Sequence, residues 1–189
     1  MYFDSTSIDI IITVFMALSA MHFGVIFAIV AGRSFKPLKH SVTKYYLGII
    51  AVCSIIIAFS LKTQGGYESW GGALLDSTFQ TVSYLTTTGF GQADNAMWPL
   101  LANTILIFAA MHCGCAGSTT GGIKADRMFI ALKAIHGDFL KRLHPSSLFR
   151  TRVGGKVLND STVSSVFLYI VLYILIIFIS FILLLICGV

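Results

Sequence analysis

Apolar residues gather into four long blocks, at positions 8–31, 45–61, 97–111 and 163–189, and most charged residues fall between them. Each block approaches the ~20 apolar residues that a helix needs to cross ~30 Å of hydrocarbon. A further pattern lies between the second and third blocks. Leu75, Phe79, Val82 and Leu85 recur at helical spacing, which predicts a short helix over 73–85. Gly71 and Gly72 precede it, and Asp76 and Ser77 sit in its first turns, where acids and small polar groups suit a helix start. About a dozen residues at ~1.5 Å each give ~18 Å of helix, roughly half the depth of a bilayer core. The stretch 71–91 is too apolar for an ordinary external loop and too short to cross and return as two full helices. The pattern therefore predicts a re-entrant dip.

The dip ends in Thr86-Thr87-Thr88-Gly89-Phe90-Gly91. Non-helical backbone at membrane depth is tolerated only where it is buried in protein or lines a water-filled path. A bare cation crossing a bilayer must replace its lost water with oxygens, and an extended strand of carbonyls supplies them. The order hydroxyl, small residue, glycine, aromatic, glycine has the layout of a potassium filter strand. Glycine lets the backbone take angles that aim successive carbonyls at one axis. The preceding helix also points its negative end at the same place. Thr87, Thr88, Gly89, Phe90 and Gly91 are the candidate ion-binding residues, the first four holding K+ through their backbone carbonyls. The plainer alternative is an external amphipathic hairpin with a Thr/Gly turn.

The third apolar block breaks before it is long enough to cross. Trp98 marks an interface and Pro99 a first helical turn. Gly114, Gly117, Ser118, Thr119, Thr120, Gly121 and Gly122 then interrupt the helix. Beyond them Met128, Ile130, Leu132, Ile135 and Leu140 interleave with Lys133, Lys141 and Arg142, the signature of an amphipathic helix. A nucleotide phosphate loop is excluded, because Ile123 separates Gly122 from Lys124 and neither Ser nor Thr follows the lysine. Two readings of the interruption stand: close packing between helices through small residues, or a mobile gate under the filter lined by carbonyls and hydroxyls.

Composition supports a membrane protein. The 189 residues are 56% hydrophobic and 11% charged, against about 25% charged in soluble domains, and mean hydropathy is +0.85. Of the 13 Lys and Arg, all but Lys62 fall between blocks one and two or between blocks three and four. The positive-inside rule makes those two stretches cytoplasmic and places both ends of the chain, with residues 62–99, outside. Sidedness accounts for the net charge of +5, which calls for no nucleic acid. Residues 1–9 hold two acids and no base, unlike a signal peptide. Cys53, Cys113, Cys115 and Cys187 lie in apolar segments and read first as small packing residues. An intramembrane metal site at His112, Cys113 and Cys115 is the alternative, although four ligands are usual for structural zinc. Asp76 and Asp94 flank the filter mouth, as helix caps or to concentrate cations. His22 and His112 lie within apolar blocks and are functional candidates on that ground. No Ser/His/Asp set with a glycine elbow appears, so the chain does not read as an enzyme. A non-transporting four-span scaffold is the remaining alternative.

Residues 86–91, then Met97-Trp98-Pro99, then Ala116-Gly117-Ser118-Thr119-Thr120-Gly121-Gly122-Ile123-Lys124 resemble the Trk/Ktr superfamily of potassium uptake proteins, its bacterial TrkH-like branch in particular. His144-Pro145 and residues 153–160 resemble the stretch leading into that family's last repeat. The resemblance implies an all-α membrane fold of four helix–pore helix–helix repeats, potassium-channel-like, around one pore. Residues 45–142 would be one complete repeat, the third: helix 45–62, pore helix 73–85, filter 86–91 and broken helix 97–142. Residues 1–32 would close the preceding repeat, 33–44 form a basic cytoplasmic loop, 143–162 a cytoplasmic linker, and 163–189 open the next repeat. The chain is expected to be a fragment of a longer subunit or a truncated gene product. The resemblance also implies a gating loop over residues 114–122 and K+ as the transported ion, with no cofactor. It further implies a bacterial inner-membrane location, a homodimer, and a cytosolic nucleotide-binding regulatory partner of the TrkA/KtrA type.

Overall fold

The structure, a computed structural model, describes residues 5–32, 38, 40–64, 66–143, 152–154 and 156–188. It comprises two compact units, Met1–Ala125 and Asp126–Val189. The first unit holds helices α1 (Thr6–Ser19), α2 (Phe23–Gly32), α3 (Ser41–Gln64), α4 (Trp70–Leu85) and α5 (Leu100–His112). The second holds α6 (Ala125–Leu143) from its second residue on and α7 (Asp160–Ile186), and between them lies a hairpin of two two-residue strands that pairs Arg152 with Val157. The fold is an all-α membrane fold. The hairpin falls in the expected linker, of which residues 144–151, His144 and Pro145 included, lie outside the described residues; so do Arg33, Lys36 and Lys39 of the first basic loop.

Among the described residues, two helices are long and apolar enough to cross a membrane unaided: α3, with 24 residues, and α7, with 27. At ~1.5 Å per residue these reach ~36 Å and ~40 Å, more than a hydrocarbon core. The helix expected over 45–62 thus starts four residues earlier, at Ser41, and runs on to Gln64, and that expected over 163–189 opens at Asp160. α5, at 13 residues, is too short to cross alone, as its glycine-rich boundary predicts.

The block at 8–31 corrects the expectation of one continuous span. It forms α1 and α2, which meet at 105°. Neither glycine nor proline occupies positions 20–22. The cause is a long-range partner: the Ala20 carbonyl accepts from the Cys115 amide at 2.9 Å, and the Phe23 amide donates to the Gly117 carbonyl at 3.3 Å. A new helix then starts on His22, whose Nδ1 accepts from the Gly24 amide at 3.0 Å. Hydrogen bonds to another segment thus replace the ladder at the bend.

α4 is wedged among α1, α3 and α5. One cluster joins Ile57, Ala58 and Leu61 of α3 to Ala73 of α4 and to Trp98, Ala102 and Leu106. A second joins Met16 of α1 to Phe79 and Val82 of α4. Alanines at 58, 73 and 102 let the backbones approach closely, which matters because lipid gives apolar faces no incentive to associate. The helix is 16 residues long, opening at Trp70 rather than at 73. Its N-cap is Ser69, whose hydroxyl accepts from the Gly72 amide. Asp76 therefore does not cap; its carboxylate accepts from the Tyr67 hydroxyl at 2.7 Å. Partial burial and this acidic neighbour push the Tyr67 phenol up to about 12.

In the second unit, Lys133 of α6 donates to the Arg152 carbonyl at 2.9 Å. The Arg127 guanidinium lies 3.9 Å from the centre of the Tyr169 ring, a cation–π contact. α7 leaves nearly every Ile, Leu and Phe exposed, the composition of a lipid- or partner-facing helix.

Candidate functional site

α4 ends at Leu85 and is C-capped by Thr86, whose amide still bonds to the Val82 carbonyl. Thr86 is buried at 4% exposure, whereas Thr87 through Gly91 are all exposed. The backbone turns left-handed at alternate positions, Thr87 with φ 55° and Gly89 with φ 78°. Glycine takes such an angle without strain; for threonine it costs of order 1 kcal/mol. Several bonds hold the strand to the helix before it. The Thr88 amide donates to Ser83 O at 3.1 Å. The Ser83 hydroxyl donates to Phe90 O at 2.6 Å, and the hydroxyls of Thr86 and Thr88 lie 2.7 Å apart. The Phe90 carbonyl is thereby tied back to α4. Gln80, almost fully buried, donates from Nε2 to Ala93 O at 2.8 Å. A cavity of about 470 Å³ opens beside the strand, bounded by Gln80, Tyr84, Gly89, Phe90, Asp94 and Asn95. Asp94 itself caps the 3-10 turn Asn95–Met97 by accepting from the Ala96 amide.

Residues 113–124 form the second element. α5 stops at His112, and Cys113 takes φ 59°, ψ −178°, a conformation essentially reserved for glycine. Gly117, Gly122 and Lys124 are also left-handed. Gly114 packs on the bend between α1 and α2: a β-carbon there would stand 2.7 Å from Ala20 O and 2.8 Å from Ala20 Cβ. Within the loop, the Ser118 hydroxyl donates to Cys115 O at 2.7 Å and lies 2.8 Å from Thr120 Oγ1. Gly117 and Thr119 are exposed, Thr120 is buried and Gly121 is open to its surroundings. A contact joins the two elements: the Gly121 amide points at Thr87 Oγ1 from 3.4 Å.

The histidines have local partners. His112 Nδ1 lies 3.1 Å from Cys113 O, which only accepts, so Nδ1 carries the proton. In the neutral ring Nε2 then accepts from the Tyr45 hydroxyl, 2.9 Å away. The Cys113 thiol donates to Ala110 O. Among the described residues no group of three metal-ligating side chains gathers, and His112 has no nitrogen left for a metal. His22 starts α2 and faces Gly117. Cys53, Cys113 and Cys115 are buried as packing residues, while Cys187 is exposed.

Four contributors were not legible as such. Asp9 is buried and accepts from Gln92 Nε2 at 3.1 Å, just past the strand 87–91; an acid inside an apolar block was its only signal. Ser83, Gln80 and Lys124 act through backbone carbonyls, which leave no residue-type pattern.

Residues 49–187 match the TrkH family, described as a cation transport protein. A Trk system potassium uptake protein TrkH from Salmonella typhimurium is 30% identical over 193 residues, covering 100% of this chain and 39% of that protein. A TrkH from Halomonas elongata is 33% identical over 181 residues, covering 94% of this chain and 37% of that protein. The crystal structure of the potassium transporter TrkH from Vibrio parahaemolyticus superimposes with a TM-score of 0.91 at 30% identity, over 100% of this chain and 41% of that one. The chain thus spans about two fifths of the length of the relatives it matches.

Proposed function

The chain belongs to the TrkH family of cation transport proteins, and from that membership we propose that it builds part of the conducting path of a potassium uptake protein. The carbonyls of Thr87, Thr88, Gly89 and Phe90, with Gly91 closing the strand, contribute one side of a K+ filter. Further strands of a longer subunit complete the oxygen shell, since one strand cannot surround an ion. The carrying observation is the left-handed backbone at Thr87 and Gly89 on a strand braced to a buried helix. Fixed carbonyls of this kind replace hydration without having to reorganise. Residues 114–122 act as the gate, supported by their contact with Thr87.

In this reading residues 45–142 form one pore repeat, 1–32 close the repeat before it and 163–189 open the next. The cytoplasmic side carries the basic stretches 33–44 and 124–156, the second meeting a nucleotide-binding regulatory subunit or lipid headgroups, and the subunit pairs as a homodimer. The relatives are named as transporters, and the chain is read as a transporter rather than an enzyme. The decisive experiment is complementation. The full reading frame restores growth of a potassium-uptake-deficient strain at low K+, and Gly89→Ser abolishes the rescue. Rescue undiminished by Gly89→Ser refutes the filter.

A further inference from the structure

Lys124 stands two residues past Gly122, at the end of the glycine-rich loop, and turns its ammonium back into it. Nζ lies 3.2 Å from Ser118 O and 3.4 Å from Thr120 Oγ1, and it donates to Thr120 O. A lysine at the end of an apolar span ordinarily extends its head toward water. Here the head sits on main-chain carbonyls and a threonine hydroxyl, the donor set that strips water from an alkali ion. Ammonium and potassium share a charge and nearly a size, so oxygens arranged for one suit the other.

The arrangement is held under strain. Lys124 is left-handed at φ 74°. At the opposite end of the loop Cys113 occupies its glycine-type conformation. Two non-glycine residues thus bracket the loop in states that persist only while their surroundings enforce them. The Gly121 contact to Thr87 places the same loop against the filter strand.

We propose that Ser118 O, Thr120 O and Thr120 Oγ1 form part of a monovalent-cation site of which the Lys124 ammonium is the tethered occupant. The inference rests on reading residues 114–122 as the gate. With the ammonium docked the loop is closed. A potassium ion arriving from the filter side exchanges for it, one positive charge for another. The released lysine then frees the strained loop to open. The ion shifts the balance because it takes these oxygens only where the ammonium has left them, which is the differential affinity such a switch requires.

The test is rubidium flux into proteoliposomes containing the protein expressed from its full reading frame. Lys124→Met keeps the aliphatic stem, and Lys124→Gly also relieves the left-handed backbone. Both are expected to raise flux roughly tenfold, the scale set by losing a charge-assisted hydrogen-bond set. In Lys124→Gly, added n-butylammonium refills the site and returns flux toward the parent value, and it leaves a 117–121 deletion unaffected. If the deletion opens the path but neither lysine variant does, the gate stands and the tethered cation is overturned. If the lysine variants open it without rescue by butylammonium, Lys124 is a brace and the cation site is overturned. If neither deletion nor substitution raises flux, the gate itself fails and the proposal falls with it.

Discussion

Gly114→Ala tests the packing that bends the first apolar block. The added methyl would stand 2.7 Å from Ala20 O, 2.8 Å from Ala20 Cβ and 2.9 Å from Thr120 Oγ1. Two of these three atoms belong to the turn at Ala20 and cannot swing aside as the tip of a flexible side chain would. Overpacking of this kind costs ~1–3 kcal/mol. Relief requires the loop to withdraw, and withdrawal breaks the Cys115–Ala20 and Ala125–Gly114 backbone bonds of 2.9 Å and 2.8 Å. Each is worth about 0.5–1.5 kcal/mol net. The expected loss is therefore about 2 kcal/mol or more. For a chain of this size that lowers the unfolding midpoint by about 4–8 °C.

Gly121→Ala is the internal control. No described atom lies within 4 Å of its β-carbon position, and its φ is not left-handed. Its midpoint should stay within the change of about 0.5 kcal/mol typical of an unconstrained surface position. Thermal unfolding in detergent micelles reads both variants, with the largely buried Trp98 as a fluorescent reporter in the same unit. Equal midpoints for the two alanines would refute the packing of the loop on Ala20.

Three further outcomes are expected. Gly89→Ala or Gly89→Ser degrades potassium-over-sodium selectivity more than Phe90→Tyr does, because a β-carbon opposes φ 78° while tyrosine keeps the ring; bi-ionic flux ratios equal in both variants would contradict this. Deleting residues 117–121 raises flux in liposomes with the fold retained, and an unchanged or lower rate counts against a gate. Tyr67 carries a phenol raised from 10.0 to about 12, so the folded state holds its proton more tightly than the unfolded one. Its contribution is complete below pH 10 and is lost as pH rises through about 12; Tyr67→Phe should flatten the fall in stability across that window relative to the parent, and parallel curves would show that the bond to Asp76 is not felt.

The two loops were legible in the sequence and their mutual support was not, and the difference is one of range. Leu75, Phe79, Val82 and Leu85 announce a helix because a 3.6-residue period is local. Gly89 announces a left-handed turn because only its own side chain is at issue. Local rules miss Cys113 and Lys124, which adopt glycine-like angles without being glycine. They also miss the bend at residues 20–22, because what breaks that helix is a carbonyl and an amide more than ninety residues further on. The two interruptions answer each other. A helix broken in a membrane strands donors and acceptors at several kcal/mol apiece unless protein supplies partners. Here the break in the first block offers Ala20 O and the Phe23 amide, and the break after α5 offers the Cys115 amide and Gly117 O. Neither break is tolerable alone in lipid, and each is satisfied by the other. The glycine-rich loop therefore cannot leave its place without stranding the turn at Ala20. Any outward movement of this loop must carry the start of α2 with it or admit water to Ala20 and Phe23.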